Sequence, residues 1–170
     1  MLVGPNIELR AWRETDLPNL LALRNDLALQ NLLLTQARPN SVERVRRWLV
    51  EKSEHKQALF FVIGQRDSGG CLGYVQLLNM HSLHGTAELG ICLAPEAQGH
   101  GFGREVLELL EGYAQSVFAL RKIVLQVLAD QGAAEFYRRV GYREVGRLQK
   151  HVFQNGRYRD VLMMERLLQS

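Results

Sequence analysis

A glycine-rich segment near the middle of the chain constrains the fold more than any other feature. Gly99, Gly101 and Gly103 lie between an apolar run that ends at Pro95 and a segment rich in Leu and Glu. Because glycine has no Cβ, a tight turn of these residues lets neighbouring backbone N–H groups converge on one point. The segment that follows has helical spacing, and a helix N-terminus has unpaired N–H groups and a positive dipole end. The pattern therefore predicts a strand, a turn and a helix that begins at a phosphate or pyrophosphate site.

Three types of phosphate loop compete for this segment. A Walker loop needs Lys and then Ser or Thr after its last glycine, whereas Arg104 and Glu105 follow here. A dinucleotide fingerprint has Gly-x-Gly-x-x-Gly spacing in a strand-helix-strand unit, whereas the spacing here is Gly-x-Gly-x-Gly. The pattern that remains is Gln-x-x-Gly-x-Gly, formed by Gln98, Gly101 and Gly103. A plain flexible turn stays open as the alternative for a glycine segment taken alone.

This pattern resembles the acetyl-CoA pyrophosphate loop of the GCN5-related N-acetyltransferases. A second motif of that family, Asn-x-x-Ala-x-x-x-Tyr-x-x-x-Gly-Phe, is matched downstream by Ala133, Tyr137 and Gly141, with Tyr142 in place of Phe. Asp130 stands where the family has Asn, which affects the expected side-chain hydrogen bond to the pantetheine arm. Two motifs in the right strand-helix context are far more specific than either one alone.

The order of the predicted elements agrees with that resemblance. The pattern predicts a strand, two helices, three mostly antiparallel strands, a helix, a strand, a helix and two final strands. We expect an α+β fold built on a mixed α/β sheet that is mostly antiparallel, with helices on both faces and a single domain over residues 1–170. The resemblance implies that the fourth and fifth strands splay apart and that the cofactor enters between them.

Local signals predict how several of these elements begin and end. Thr15 is expected to cap the first helix, and residues 26–39 to form an apolar loop. Asn40 with Glu43 three residues later is typical of a capping box. Asn155-Gly156 is the strongest short hairpin signal in the chain.

The resemblance also implies which residues contact acetyl-CoA. Backbone groups of Ile91 and Leu93 would pair with the pantetheine amides as if the cofactor were another strand. Asp130 and Phe136 belong to the same expected contact surface. The pyrophosphate would lie against Gln98, Gly99, His100, Gly101, Phe102, Gly103 and Arg104. Within this loop, His100 fits a surface imidazole better than a catalyst, and Arg104 suits a solvent-facing position equally well.

Two residues are candidates for the chemistry itself. Tyr137 is the candidate general acid, because a phenol near the sulfur can protonate the departing coenzyme A thiolate; a core tyrosine is the alternative. Glu88 opens the fourth strand, where related enzymes often place a carboxylate that accepts the amine proton through water. A strand-end surface Glu is the alternative at that position. No metal site is expected.

The acceptor is expected to be a small-molecule amine. Residues 26–39 contain Asp26 and Arg38 but are otherwise mostly apolar, which argues against a polycation. Nearby cations, namely Arg38, His81, His84, Lys150 and His151, suit a nucleotide-linked amino sugar. Residues 150–165 also look like the amino-sugar-nucleotide acetyltransferases and, more loosely, the ribosomal-protein N-terminal acetyltransferases. Another small amine, or a non-catalytic acetyl-CoA-binding module, remains the alternative.

Composition excludes several other classes of protein. A net charge of +3 without a Lys/Arg-rich block gives no support for nucleic-acid binding. No stretch approaches the length of a membrane span, and no N-terminal signal is apparent, so a cytoplasmic location is expected. Cys71 and Cys92 lie in apolar runs and are expected to be buried, unpaired thiols. A homodimer through the last strands is plausible.

Overall fold

The computed structural model describes residues 1–168, and all of its strands belong to one eight-stranded sheet with the order β1-β2-β3-β4-β5-β6-β8-β7. Neighbouring strands are antiparallel except for the β5–β6 pair. The α+β class with a mixed sheet is confirmed. The strands are β1 Leu2–Val3, β2 Ile7–Arg10, β3 Leu59–Gln65, β4 Cys71–His81, β5 Thr86–Leu93, β6 Lys122–Leu128, β7 Arg143–Gln154 and β8 Arg157–Leu167.

Helices cover both faces of the sheet, as expected. They are α1 Leu17–Asn25, α2 Leu27–Leu32, α3 Val42–Glu54, α4 Phe102–Phe118 and α5 Ala133–Arg139. Consecutive strand residues point to opposite faces, so Val62 packs in the core beneath α1 and α3, whereas Ile63 packs in the core beneath α4 and α5. The sheet therefore separates two apolar cores.

The sheet opens between β5 and β6. These strands pair in parallel only over Thr86–Lys122, Ala87–Ile123 and Glu88–Val124, although each strand continues for several residues beyond. A two-residue strand β1 precedes the first expected strand, so β5 and β6 are the fourth and fifth strands of the sequence prediction. The expected splay between them is confirmed, and from Leu89 onward the β5 edge that faces β6 is unpaired.

The prediction of an apolar loop over residues 26–39 is wrong in its first half. Residues Leu27–Leu32 form the helix α2, and the Asp26 carboxylate accepts a hydrogen bond from the Leu29 N–H at its start. A short polar side chain at this position satisfies a free N–H group of the first turn. The loop proper follows α2.

Two predicted helix starts are also corrected. A 3-10 turn over Glu14–Asp16 precedes α1, so Asp16 rather than Thr15 is its first flanking residue. At α3 the cap is Ser41, whose hydroxyl accepts from the Arg44 N–H, and not Asn40. Asn40 instead binds the α1 end through the Asn25 side chain. The Asn155-Gly156 turn is confirmed, with both residues at positive φ.

The two cysteines are free and buried, as predicted. Desolvation raises the pKa of Cys71 to about 11 and that of Cys92, on β5, to about 12. Both thiols are therefore protonated at neutral pH.

A buried ion pair fixes β2 against the start of α1. Arg10 and Asp16 are each 2% exposed, and two guanidinium nitrogens of Arg10 donate to the two carboxylate oxygens at 2.7 and 2.8 Å. The Arg13 N–H also donates to the Asp16 carboxylate. Removing one partner of such a pair leaves an uncompensated charge in the core.

We therefore expect Asp16→Asn to lower the free energy of unfolding by about 3 kcal/mol, because Arg10 then stays buried without its counter-charge. Urea denaturation at pH 7 measures this value. The control is Glu43→Gln, which removes an exposed ion pair with Arg46 and should change stability by less than about 0.5 kcal/mol. A loss below about 1 kcal/mol for Asp16→Asn would contradict the assigned role of the pair.

Candidate active site

A cleft of about 660 Å³ lies on the face of the sheet covered by α4 and α5, next to the opened edge of β5. Its walls come from β5, the glycine-rich turn, the first turn of α4 and the α5 helix. The lining residues are Ile91, Leu93, Ala97, Gln98, Gly99, Gly101, Phe102, Gly103, Arg104, Gly132, Ala133, Phe136, Tyr137, Arg139 and Val140.

The glycines of the turn are required for two different reasons. Gly99 and Gly101 have φ of +78° and +81°, a conformation that residues with a Cβ rarely adopt, and Gly101 directly precedes α4. Gly103 lies in the first turn of α4, where a Cβ would come within 3.0 Å of the Phe136 ring. Its absence lets α5 approach α4. The turn thus leaves N–H groups at the start of a 17-residue helix facing the cleft.

The β5 edge forms the other wall. Ile91 and Leu93 line the cleft, and their strand has no partner on this side because β6 has diverged. Gln98 donates from its side-chain amide to the Leu93 carbonyl at 3.1 Å, so it connects the turn to the end of β5. This bond explains why a glutamine is present at the start of the turn.

Two residues predicted to contact the cofactor lie outside the lining of this cleft. His100 is exposed, with its ring 5.6 Å from that of Phe102. The Asp130 carboxylate accepts a hydrogen bond from the guanidinium of Arg159 at 2.5 Å, and Arg159 is itself buried. The Asp that replaces the family Asn is therefore matched by a basic residue on β8, and this bond lowers the pKa of Asp130.

The cleft also contains a cation that the sequence analysis missed. Arg139, at the end of α5, lines the cleft together with the predicted Arg104. The Arg104 guanidinium donates to the Arg139 carbonyl at 3.5 Å, so it reaches the end of α5. The motif around Tyr137 brings Arg139 into this position, where it also pairs with exposed Glu135 at 3.6 Å. Its sequence neighbour Arg138 is equally basic and pairs with Glu135 and Glu144.

Tyr137 and Glu88 lie on opposite sides of the opened sheet. Tyr137 is buried at the wall of the cleft, and desolvation raises its pKa, which keeps the phenol protonated at neutral pH. Glu88 is exposed and lines a second cavity. The structure therefore does not bring both predicted catalytic side chains to one wall.

The second cavity, of about 480 Å³, lies where β5 and β6 separate. Glu88 and Gly90 have opposite strand parity to Ile91 and Leu93, so they face α2 rather than α4. The lining is mainly apolar and contains no Arg, Lys or His from residues 1–168. It consists of Leu33, Leu34, Thr35, Gln76, Leu78, Glu88, Leu89, Gly90, Val124, Leu125, Gln126, Val145, Met163 and Met164.

None of the five cations considered for a nucleotide-linked acceptor lines that cavity. His81 and His84 stack on each other, 4.1 Å between ring centroids, at the far end of the β4–β5 hairpin. Arg38 and His151 are exposed, and the Lys150 N–H donates to Asp160.

A family model described as "Acetyltransferase (GNAT) domain" matches residues 6–143 of this chain. The chain belongs to the GNAT acetyltransferase family. The expected resemblance is confirmed.

Named relatives come from one branch of the family. The spermidine N(1)-acetyltransferase of Vibrio cholerae is 38% identical over 58% of this chain and 57% of its own length. That of Escherichia coli K12 is 32% identical over 68% of this chain and 62% of its own length. The match thus spans less than two thirds of either relative.

Solved structures align over nearly the whole chain. The crystal structure of spermidine N-acetyltransferase from Vibrio cholerae in complex with CoA and spermine has a TM-score of 0.89 at 28% identity and covers 97% of both chains. A dodecameric structure of the same enzyme has a TM-score of 0.82 at 28% identity and covers 97% of this chain and 95% of its own. The branches indicated by the C-terminal sequence are not among these relatives.

Within residues 1–168 no group of three His, Cys, Asp or Glu side chains is arranged to hold a metal ion. No helix in the same range has the length and apolarity needed to cross a bilayer.

The Asp130–Arg159 pair leads to a testable stability effect. We expect Asp130→Asn, which restores the family residue, to lower the free energy of unfolding by about 1 kcal/mol, because buried Arg159 loses its counter-charge while Asp130 is half-exposed. Urea denaturation in an Arg159→Leu background provides the control, where the same change should have a smaller effect that is limited to the exposed pair of Asp130 with Arg157 at 3.5 Å.

The pH dependence has a definite sign. The pKa of Asp130 is lowered in the folded state, so its contribution is complete above the unfolded-state pKa of about 3.9 and is lost as the pH falls through the folded value. The difference between the wild type and Asp130→Asn should therefore vanish in acid. A difference that persisted below that range would exclude an electrostatic origin.

Proposed function

We propose that this chain, as a single N-acetyltransferase domain over residues 1–170, transfers the acetyl group of acetyl-CoA to the primary amine of a small molecule. The observation that supports this most is the continuity of one surface. The unpaired edge of β5 leads directly into the glycine turn and the start of α4, and Tyr137 lies at its wall. This surface has hydrogen-bond partners for an amide-containing arm and, next to it, for a diphosphate.

The residues present fit coenzyme A in three parts. Backbone groups of Ile91 and Leu93 would pair with the pantetheine amides, and N–H groups over residues 99–103 would hold the diphosphate. Arg104 and Arg139 would neutralise phosphate charge. Phe136 packs at the wall between them, while His100 and Asp130 act only through the shape of the turns that they belong to.

The bound thioester supplies an acetyl carbon that an amine can attack directly. A new N–C bond forms, the C–S bond breaks, and the sulfur must receive a proton. Tyr137 is the donor in this proposal, because its phenol lines the coenzyme A cleft and burial keeps it protonated. The phenol then recovers its proton from solvent.

The amine arrives as an ammonium ion and must lose protons before and after attack. Glu88 is the accepting carboxylate in this proposal, directly or through water. It lines the cavity on the α2 side, opposite the coenzyme A cleft, and its exposure lets the proton reach solvent. In this proposal the amine, on one face of the sheet, meets the thioester, on the other face, through the opening between β5 and β6.

The acceptor proposed is an alkyl amine of the polyamine class. The named relatives act on spermidine, and the second cavity combines one carboxylate with apolar walls, which suits an ammonium group on an alkyl chain. The nucleotide-linked amino sugar favoured by the sequence is abandoned, because the cations expected to bind its phosphates lie elsewhere.

Assembly and location complete the proposal. β7 is an edge strand with exposed Val145 and Phe153, so a second copy could extend the sheet there, and one Vibrio cholerae relative forms a dodecamer. Static light scattering distinguishes a homo-oligomer from a monomer. A cytoplasmic location remains a prediction, supported by two unpaired cysteines.

An assay of free coenzyme A thiol with a panel of amines tests the activity. We expect release with spermidine and with hexylamine, and none above background with a nucleotide-linked amino sugar or an N-terminal peptide. Thermal stabilisation by coenzyme A without turnover of any amine would favour a binding module instead. Absence of coenzyme A binding would overturn the whole proposal.

Removal of the Tyr137 hydroxyl isolates the acid step. We expect Tyr137→Phe to lower kcat about 100-fold while coenzyme A affinity, measured by calorimetry, stays unchanged, since only the proton donor is lost. Tyr113→Phe is the matched control, because that ring packs on Phe61 and Phe118 away from the cleft. Undiminished turnover in Tyr137→Phe would assign this residue to the core alone.

A further inference from the structure

One buried polar atom at the second cavity lacks a partner. The side-chain oxygen of Gln76, on β4, is shielded from solvent and accepts no hydrogen bond within residues 1–168. A buried carbonyl without a donor is costly, so its presence in a folded protein needs an explanation. Gln76 lines the cavity that also contains Glu88, which places the amide where an acceptor amine would enter.

The residue opposite Gln76 is a glycine. Gly90 pairs with Gln76 in the β4–β5 register, and a Cβ at Gly90 would lie 3.1 Å from the Gln76 amide nitrogen. With no side chain at that position, the amide lies across β5 and can turn about its last torsion, which has a broad energy minimum. A half-turn about this torsion exchanges the positions of the amide oxygen and nitrogen.

Gln76 and Glu88 lie on the same face of the sheet. Leu78 pairs with Glu88 and Gln76 pairs with Gly90, so the amide and the carboxylate are two residues apart along this face. Both line the cavity that opens where β5 leaves β6. Two hydrogen-bond acceptors therefore lie together in the cavity where the sheet opens.

We infer that Gln76 binds the reacting amine. Its side-chain oxygen accepts a hydrogen bond from one N–H of the amine nitrogen, and the Glu88 carboxylate accepts a hydrogen bond from another N–H of the same nitrogen. This inference depends on the proposed acetyl transfer. A neutral primary amine has two N–H donors and one lone pair, so both acceptors are satisfied while the lone pair is free for attack. A neutral secondary amine has only one N–H and leaves one acceptor unpaired. The pair thus selects a primary nitrogen.

The first test compares Gln76→Leu with the wild type. We expect KM for the amine to rise about tenfold, because one hydrogen bond to the substrate is lost, with coenzyme A affinity unchanged. The urea midpoint should be equal or higher, since the variant no longer buries an unpaired carbonyl. A purely structural glutamine would instead lower the midpoint and leave KM unchanged, and that result would overturn the inference.

Two further variants separate the hydrogen bond from shape. Gln76→Glu retains an acceptor oxygen and should keep KM within about threefold of the wild type, whereas a rise equal to that of Gln76→Leu would contradict the role of Gln76.

Gly90→Ala should raise KM by displacing the Gln76 amide, and should add nothing to KM in the Gln76→Leu background. Additive effects of Gly90→Ala and Gln76→Leu on KM would also contradict the role of Gln76. Gln57→Leu, at an exposed position, is the control.

The outcome distinguishes this inference from the proposed function. A wild-type protein that turns over no amine refutes the acetyl transfer. A wild-type protein that acetylates an alkyl amine, together with a Gln76→Leu variant of unchanged KM, refutes only the role of Gln76. Primary-amine selectivity that is lost in Gln76→Leu would support both.

Discussion

The separation of β5 from β6 after three paired residues is the constraint on which the rest of the site depends. Up to Glu88 the two strands satisfy each other's backbone groups. Beyond it, the β5 edge has hydrogen-bond donors and acceptors with no protein partner, and such an edge is available to an extended ligand. The same opening lies between the proposed coenzyme A cleft on the α4 face and the Glu88 cavity on the α2 face.

Much of this fold was predictable because its signals are local. The glycine turn, the α5 motif and the Asn155-Gly156 hairpin each depend on a few adjacent residues, and the structure confirms their positions. The α2 helix was missed because apolar residues in a six-residue segment have no clear period. Its signal was Asp26, which caps the first turn and which the sequence analysis considered only as a charge.

The features that sequence could not predict depend on contacts between distant segments. Gln76 and Gly90 become neighbours only through the β4–β5 register, and nothing in either local sequence indicates that an amide lies over a glycine. Asp130 was identified as a departure from the family motif, but its partner Arg159 is far along the chain. Arg159 also donates to Gln154, which donates to the Asn31 carbonyl, so the turn before α5 is connected to α2.

The environment of the two cysteines matters for the proposed reaction, which leaves coenzyme A with a free sulfhydryl group. Once such a thiol is oxidised to its disulfide, a protein thiolate attacks that disulfide, forms a mixed disulfide and displaces one coenzyme A thiolate. Cys92 lies between Ile91 and Leu93 on β5, and burial raises its pKa to about 12, so this thiol is protonated at neutral pH. Burial of Cys71 has the same effect. Both thiols therefore resist covalent capture by the product of the proposed reaction.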